Sequence, residues 1–463
     1  MTVAELVRAL PQAMLQGDGR VRFNRVSTDS RTIEPGALFV ALRGERFDGH
    51  DHAAQAVERG AVALLVEHAL DLAVPQVICA DSKRGLGLAA AAWRARFDLP
   101  LIAVAGSNGK TTVTQMIAAI LGQAQGEKKR LATRGNFNND IGVPLMLFEL
   151  NAQHRVGVLE VGMNHPGEIE YLAQLVKPTV AVVNNAQREH QEFMAGVEAT
   201  AVENGAVIDA LPADGVAVFP ADDACAPIWR RQAGTRRVLD FAREGEATVT
   251  ADVARTAQGS RLSIASPAGL IEVDLPVPGA HNVHNALAAT AAAIAVGVAP
   301  ADIAVGLAGF TPVKGRGVRH TLSPGALLVD DSYNANPDSV RAAIDLLATL
   351  PAPRTLVLGD MGEVGHEGPA FHREVGAYAA QRGIDALLTH GEAAREAAAA
   401  FGAGARHLDG IDALIEAARV RVAAGGALLV KGSRFMRMER VVQALLQTAA
   451  TADAPGAQKD GAH

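Results

Sequence analysis

The chain has 463 residues, of which 49% are hydrophobic, and a formal net charge of −7. That length is too great for one hydrophobic core, and at about 150 residues per domain it predicts three domains. The acidic balance and an aromatic content of 4% argue against a nucleic-acid-binding protein, which needs basic surfaces and stacking rings. No run approaches the roughly 18 apolar residues that suggest a transmembrane helix, so we expect no membrane span.

The N-terminal segment, residues 1–98, has the pattern of a small α/β domain. Apolar runs at 37–42 and 63–66 predict strands. The polar, turn-rich stretch between them, at 43–51, indicates a specialised loop.

Two features of the sequence bear on its compartment. The start, Met1 to Leu6, lacks a basic region and is typical of an amphipathic helix rather than a signal peptide. Cys79 and Cys225 are far apart in the sequence, and we expect free thiols in a reducing environment. We therefore expect a cytoplasmic enzyme.

A phosphate-binding turn opens the second domain, which we place at 99–313. The apolar run at 101–105 predicts a buried strand, and Val113, Met116 and Ile117 recur at helical spacing after it. Unpaired N–H groups and the dipole at such a helix start suit a polyphosphate, which Lys110 can reach, while the Thr111 hydroxyl suits Mg²⁺. The alternative is a glycine-rich turn with a surface lysine. The turn itself reads Gly106-Ser107-Asn108-Gly109-Lys110-Thr111-Thr112.

Further strands of this domain end in polar residues. Runs at 156–161 and 179–183 predict strands of an open parallel sheet, which binds ligands at its carboxyl edge. Alternating strands are expected near 215–275, and an alanine-rich helix is expected from about 282 to 296.

The third domain, at 314–450, has the pattern of a doubly wound, Rossmann-like parallel sheet. Short apolar strands near 327–329, 356–358, 387–388 and 428–430 alternate with helical stretches. We expect the small, polar residues 451–463 to form a disordered tail.

Several side chains in these two domains are candidates for chemistry. Glu160 ends a strand and is either a Mg²⁺ ligand or a capping residue. His190 is a loop histidine or a ligand, although imidazole is an unusual partner for Mg²⁺. Asn282 and Asn285 share a helix face and offer the donor and acceptor groups that an adenine edge needs. Arg316 lies in a glycine-flanked loop, either as part of a solvated hinge or as a cation for a γ-phosphate.

Taken together, these motifs resemble the Mur ligase family, and within it the MurF type. The resemblance spans nearly the whole chain, and the order and spacing of the motifs carry it. Besides the phosphate-binding turn, the matching motifs are Ser27–Arg31, Phe47–Asp51, Gly135–Pro144, Glu160–Asn164, His281–Asn285, Asp330–Pro337, Leu358–Glu363 and Lys431–Arg434.

The resemblance implies an ATP-dependent amide ligase that joins D-Ala-D-Ala to UDP-N-acetylmuramoyl-tripeptide, a precursor of peptidoglycan. It implies a monomer with a UDP-binding first domain, an ATPase second domain and a Rossmann-like third domain. The cofactors implied are ATP and Mg²⁺, with Lys110, Thr111, Glu160 and His190 at the phosphate and metal. Asn282 and Asn285 would face adenine, and Arg316 and Asp331 would reach the γ-phosphate and ribose. The implied substrate contacts are Ser30, Arg31, His50, Asn138, Asn139 and Asp140.

One position departs from the family pattern. The family has a lysine about fourteen residues after the position of His190, and its carbamate helps to hold a second Mg²⁺; this chain has Asn204 there. Carbamylation nearby is excluded because no lysine occurs between 178 and 313. We hypothesise that Glu203 or the carboxamide of Asn204 takes over.

Two alternatives remain open at this point. One is another ligase of the same architecture, such as a folylpolyglutamate synthase or a different Mur step. The other is a nucleotide-dependent sensor of cell-wall precursors without ligase activity, which the departure at Asn204 leaves open.

Overall fold

The computed structural model describes residues 1–256, 258–322 and 325–452. Within these residues the strands form four sheets, of five, six, three and six strands in chain order. The predicted α/β class is confirmed. Of the expected tail, residues 451 and 452 end the last helix, and residues 453–463 lie outside the described part. None of the described helices is both long enough and apolar enough to cross a membrane.

The N-terminal segment forms a small α/β unit around the five-stranded sheet. Its elements are α1 (Val3–Ala9), β1 (Met14–Gln16), β2 (Arg25–Ser27), β3 (Ala37–Val40), α2 (Ala53–Glu58), β4 (Ala61–Val66), β5 (Gln76–Ile78) and α3 (Ser82–Arg94). The strand order is β1-β5-β4-β3-β2, and only β1 is antiparallel to its neighbour. The predicted strands near 37–42 and 63–66 are confirmed as β3 and β4.

The second segment contains a fully parallel six-stranded sheet in the order β11-β10-β9-β6-β8-β7. Its elements are β6 (Leu101–Ala105), α4 (Lys110–Gln125), β7 (Arg130–Ala132), α5 (Gly142–Phe148), β8 (Val156–Glu160), α6 (Glu168–Val176), β9 (Val180–Val183), α7 (Val197–Asp209), β10 (Val216–Val218), α8 (Ala226–Ala233) and β11 (Arg237–Val238). Ile102 and Val104 of β6 pack into one core, and Leu101 and Ala103 pack into the other. Burial on both faces explains why the strand is continuously apolar.

A three-stranded antiparallel sheet and two helices complete this segment. They are β12 (Thr250–Arg255), β13 (Ser260–Ser266), β14 (Gly269–Leu275), α9 (Ala280–Ala295) and α10 (Pro300–Ala308). The alanine-rich helix is confirmed as α9. The expectation of strands throughout 215–275 was wrong at α8, where buried Trp229 and Ala233 on one face give a helical period instead.

The third segment is a doubly wound sheet in the order β15-β16-β20-β17-β18-β19, with β15 as its antiparallel edge. Its elements are β15 (Val318–Thr321), β16 (Leu327–Asp331), α11 (Pro337–Ala348), β17 (Arg354–Gly359), α12 (Gly368–Gln381), β18 (Ala386–His390), α13 (Ala394–Phe401), β19 (Ala405–His407), α14 (Ile411–Ala423), β20 (Ala427–Lys431) and α15 (Glu439–Ala452). α11 starts at a capping box formed by Asn336 and Ser339. This cap places Asn336 at the carboxyl edge of the sheet.

Candidate active site

A cavity of about 2060 Å³ lies between the second and third segments. Its walls come largely from residues that follow the parallel strands of the two six-stranded sheets, where open α/β sheets bind ligands. Most predicted site residues line it: Ser107, Asn108, Gly109, Lys110, Thr111, Thr112, Asn138, Asn139, Asp140, Glu160, His190, Asn282, Asn285, Arg316 and Asp331. Four predicted residues do not: Gly106, Ser30, Arg31 and His50.

The phosphate-binding turn joins β6 to α4, as predicted. α4 begins at Lys110, directly after Gly109, whose φ of 82° lies in the left-handed region that favours glycine. A Cβ at position 109 would lie 2.4 Å from Asn285 Oδ1, so the close approach also requires glycine. Because Gly109 has no side chain to cap the helix, the first-turn N–H groups stay available to an anion.

Buried asparagines hold the backbone of this turn in place. Asn204 Oδ1 accepts from the N–H of Gly106 at 2.9 Å, and Asn185 Oδ1 accepts from the N–H of Asn108 at 2.8 Å. Asn184 Nδ2 donates to the carbonyl oxygen of Asn108 at 2.7 Å. Side chains from the loop after β9 and from α7 therefore preorganise the turn.

Lys110 is held by three acceptors. Its Nζ donates to the carbonyl oxygens of Gly106 at 2.6 Å and Ser107 at 3.1 Å, and to Glu189 Oε1 at 2.8 Å. The Lys110 and Glu189 side chains are only 13% and 11% exposed. Sequence reasoning missed Glu189, and its position directly before His190 in a loop after a strand was the available signal. A phosphate must compete with this carboxylate for the lysine.

His190 lies between two carboxylates. Its Nε2 is 3.5 Å from Glu189 Oε1, and its Nδ1 is 2.7 Å from Glu363 Oε2, an ion-pair distance without hydrogen-bond alignment. Burial lowers the pKa of His190, but the two carboxylates outweigh burial and raise it to about 9. A protonated imidazole has no lone pair for a metal, so His190 would have to lose its proton and its contact with Glu363 before it could act as the ligand that the resemblance implied.

The donor set near the turn fits Mg²⁺. Glu160 is 2% exposed; its Oε1 accepts from Asn138 Nδ2 at 2.8 Å, while its Oε2 is buried without a hydrogen-bond partner. The Oε2 of Glu189 is likewise buried and unpaired, and the Thr111 hydroxyl lies at the same cavity. Among the described residues, no three acidic, imidazole or thiol groups converge to hold an ion alone. Mg²⁺ fits because it commonly takes one or two carboxylates and completes its shell with phosphates and water.

The third segment contributes Arg316 and Asp331. Arg316 stacks on the Tyr333 ring, with its Cζ 4.2 Å from the ring centroid, and the flanking Gly315 and Gly317 both have positive φ. Asp331 Oδ2 accepts from the buried Lys431 Nζ at 2.6 Å. Arg316 is thus stacked on an aromatic ring at the cavity wall, and Asp331 already shares its charge with a lysine.

The two asparagines predicted to face adenine differ in position. Asn282 lies at the cavity wall, and its Nδ2 donates to the carbonyl oxygen of Pro278 at 2.7 Å. Asn285 is 4% exposed, and its Oδ1 accepts from Asn184 Nδ2 at 2.9 Å. Asn285 therefore supports Asn184 beneath the phosphate-binding turn, which leaves Asn282 as the more open of the two.

The predicted substrate contacts of the first segment are used within that segment. His50 is buried; its Nδ1 lies 2.5 Å from Asp48 Oδ1, and its Nε2 accepts from the N–H of Glu67 at 2.8 Å. Both ring nitrogens are thus occupied, so in this structure His50 shapes the loop at 43–51, and its contact with substrate stays a prediction. Ser30 Oγ donates to Gln55 Oε1 at 2.7 Å, and Arg31 forms an exposed ion pair with a neighbouring carboxylate.

Asn138, Asn139 and Asp140 occupy the cavity wall near α5. Asn138 contacts Glu160 as described, and Asn139 Oδ1 accepts from the N–H of Gly142 at the start of α5 at 2.8 Å. Asp140 Oδ2 pairs with Lys83 Nζ of α3 at 2.7 Å. This last contact ties the first segment to the second beside the cavity.

Glu203 does not take over the role of the missing lysine. Its two carboxylate oxygens accept from the N–H groups of Gly167 and Ile169, each at 2.9 Å, at the start of α6. Gly167 has no side chain of its own to cap that helix. The half of our hypothesis that concerned Glu203 is wrong, because its carboxylate is an N-terminal cap supplied by α7.

We expect Glu203→Ala to lower the free energy of unfolding by about 0.5–2 kcal/mol, the usual effect of losing a helix cap. The Mg²⁺ concentration dependence of activity should stay unchanged because the side chain is not at the cavity. Chemical denaturation and a Mg²⁺ titration of activity test this. A shifted Mg²⁺ requirement with unchanged stability would show that the cap is not the role of this residue.

Ionic and amide contacts join the second and third segments above the cavity. Arg188, in the loop after β9, pairs with Asp338 of α11 and Glu374 of α12, each at 2.6 Å. The side chains of Asn108 and Asn336 exchange hydrogen bonds at 2.9 and 3.2 Å. The sequence did not point to Arg188, Asp338 or Glu374, since ion pairs between segments leave no periodic signal, whereas Asn108 and Asn336 lie in motifs named above.

The His190–Glu363 contact also joins the two segments and should respond to pH. The folded pKa of His190, about 9, exceeds its ordinary value of 6.5, so its contribution to stability is fully present below about pH 6.5 and is lost as the pH rises through 9. We expect His190→Gln to destabilise the EDTA-treated protein more at about pH 6 than at about pH 10. Urea denaturation at the two pH values measures this, and an equal loss at both would contradict the assignment.

Models of the Mur ligase family match most of the chain. The model described as Mur ligase family, catalytic domain matches residues 22–97; the Mur ligase middle domain matches 104–293; and the Mur ligase, glutamate ligase domain matches 315–434. Two curated relatives are named UDP-N-acetylmuramoyl-tripeptide--D-alanyl-D-alanine ligase. The one from Escherichia coli (strain K12) is 40% identical, covering 96% of this chain and 98% of its own length. The one from Bacillus subtilis (strain 168) is 34% identical, covering 91% and 93%.

Solved structures match the whole architecture. MurF from Acinetobacter baumannii superposes with a TM-score of 0.89 at 33% identity, covering 96% of this chain and 98% of that one. MurF ligase from Thermotoga maritima in complex with ADP superposes with a TM-score of 0.82 at 26% identity, covering 93% and 99%. With a phosphate-binding turn and an arginine-bearing third segment at one cavity, and with relatives of this similarity along nearly its full length, the chain belongs to the Mur ligase family.

Proposed function

We propose that this chain is an ATP-dependent ligase that joins D-Ala-D-Ala to UDP-N-acetylmuramoyl-tripeptide and so makes the pentapeptide precursor of peptidoglycan. One observation carries the proposal: Lys110 and Glu160 of the second segment and Arg316 of the third line the same cavity. A site assembled from two segments suits a reaction that joins separate ligands.

The reaction proceeds in two steps. The terminal carboxylate of the tripeptide attacks the γ-phosphorus of ATP, which gives an acyl phosphate and ADP. The amine of D-Ala-D-Ala then attacks the acyl carbon, loses a proton and expels phosphate. Alignment of bound reactants can lower such a barrier by about 7–11 kcal/mol.

The residues of the cavity divide this work. Lys110 and the first-turn N–H groups of α4 hold the β- and γ-phosphates, and Arg316 neutralises the charge that develops on the transferred phosphoryl group. Glu160 and Thr111 hold Mg²⁺, which supplies Lewis-acid stabilisation of the phosphates. Asn282 lies towards the adenine and Asp331 towards the ribose, with Asn138, Asn139 and Asp140 along the path of the sugar and peptide.

Phosphate release from ATP tests the proposal. It is measured with UDP-N-acetylmuramoyl-tripeptide, with and without D-Ala-D-Ala, and with glutamate or a diamino acid as alternative acceptors. Release that needs both substrates, with a product heavier by the dipeptide, supports it. Tight precursor binding without release for any acceptor would favour a sensor, and release with another acceptor would identify a different ligase. Size-exclusion chromatography and cell fractionation test the expectation of a cytoplasmic monomer.

A further inference from the structure

Glu189 holds a charge that the mechanism above does not use. Its side chain is 11% exposed and lines the cavity. One oxygen, Oε1, accepts from Lys110 Nζ, and the other, Oε2, is buried without a hydrogen-bond partner. A buried carboxylate with an unpaired oxygen is costly, so the structure keeps it only while a cation is near.

The unpaired oxygen of Glu160 is an independent sign of a cation. Glu160 is 2% exposed, and its Oε2 lacks a partner although the residue borders the same cavity. Its other oxygen is fixed by Asn138, which sets the orientation of the carboxylate. Two carboxylates, each with one buried oxygen that lacks a partner, thus border the cavity that also contains the phosphate-binding turn.

Asn204 cannot supply a further anionic oxygen. Its Oδ1 accepts from the N–H of Gly106, and its remaining polar atom, Nδ2, is a buried donor without a partner. A cation would be repelled by this N–H₂ group. The negative charge nearest to Lys110 therefore comes from Glu189.

We propose that Glu189 changes partner when a nucleotide binds, releasing Lys110 to the phosphates and becoming a ligand of a divalent cation beside Glu160. This proposal rests on the proposed function only because it takes the ligand to be a nucleoside triphosphate. Lys110 cannot serve the carboxylate and the phosphates fully at once. Once Lys110 moves, His190 Nε2 still lies 3.5 Å from Glu189 Oε1, but Glu189 Oε2 has no partner and can bind a divalent cation, whose remaining ligands come from phosphate and water.

Mn²⁺ binding tests the exchange, because Mn²⁺ takes the same oxygen ligands as Mg²⁺ and its free form is measured by electron paramagnetic resonance. The titration uses the full chain with a non-hydrolysable ATP analogue. We expect Glu189→Gln to weaken Mn²⁺ binding to the nucleotide complex at least about tenfold. Glu192→Gln is the matched control, since it makes the same change on an exposed side chain of the same loop. Equal affinity in the wild type and Glu189→Gln would overturn the proposal.

Nucleotide binding in EDTA gives a second readout of the opposite sign. Glu189→Gln removes the charged group that competes with phosphate for Lys110. The ATP analogue without metal should therefore bind to this variant more tightly than to the wild type. A misfolded variant would bind both Mn²⁺ and the nucleotide analogue more weakly and would also lose thermal stability. Weaker binding of both ligands by a variant of unchanged thermal stability would contradict the exchange. These binding measurements are separate from the test of the proposed function. Both binding changes in Glu189→Gln without any pentapeptide product from the wild type would support the exchange and contradict the proposed function. Pentapeptide product from the wild type without either binding change would do the reverse.

Discussion

Lys110→Ala is expected to reduce turnover about a thousandfold or more while leaving the fold intact. Lys110 is the cationic side chain of the phosphate-binding turn, and the loss of one preorganised group that stabilises transition-state charge reduces turnover by about 10²–10³-fold or more. Its only hydrogen bonds within the described residues go to Gly106, Ser107 and Glu189, so the hydrophobic cores are untouched. Steady-state phosphate release measures the effect.

Lys128→Ala is the control for this substitution. Lys128 is an exposed lysine of the same segment, and its loss should leave turnover unchanged. The melting temperature of Lys110→Ala should fall by a few degrees, because the nearly buried carboxylate of Glu189 loses its lysine partner, while the chain still folds. Ligation by Lys110→Ala at a rate near that of the wild type would remove the lysine from the mechanism.

Arg188→Ala is expected to lower kcat/KM about tenfold by weakening the closure of the third segment over the second. Arg188 forms charged hydrogen bonds to Asp338 and Glu374, which raise its pKa above its ordinary value, and its guanidinium lies 5.1 Å from the Phe371 ring centroid. Breaking a fully buried ion pair costs about 3–5 kcal/mol of stability. Because these three charged side chains are 22–33% exposed and partly screened by solvent, we expect a cost of about 1–2 kcal/mol. Such a change shifts the closed population about tenfold.

The radius of gyration by X-ray scattering and the KM for ATP report this closure together. Both should rise in Arg188→Ala. Arg373→Ala is the control, because it breaks an exposed ion pair with Glu396 inside the third segment. If the radius and kcat/KM of Arg188→Ala match those of the wild type, the ion pair does not hold the segments together.

Local motifs carried much of the prediction. The phosphate-binding turn lies between a buried strand and an amphipathic helix, as its apolar spacing indicates, because such spacing depends only on neighbours in the chain. The helix α8 was missed because its short apolar pattern lies among strands and turns. The contacts of His50 could not be predicted for another reason: a histidine in a polar loop gives no sign that both ring nitrogens already have partners within the fold.

By itself, the sequence determined the α/β class, the family, the phosphate-binding turn and most of the residues at the cavity. Only the tertiary structure decided which of those side chains are free to act. Lys110 is shared with Glu189, His190 lies between two carboxylates, Asn285 supports the turn from beneath, and Glu203 caps the helix α6. These roles depend on contacts between residues far apart in the chain, and hydrogen bonds and charges act over a few ångströms of space rather than along the sequence.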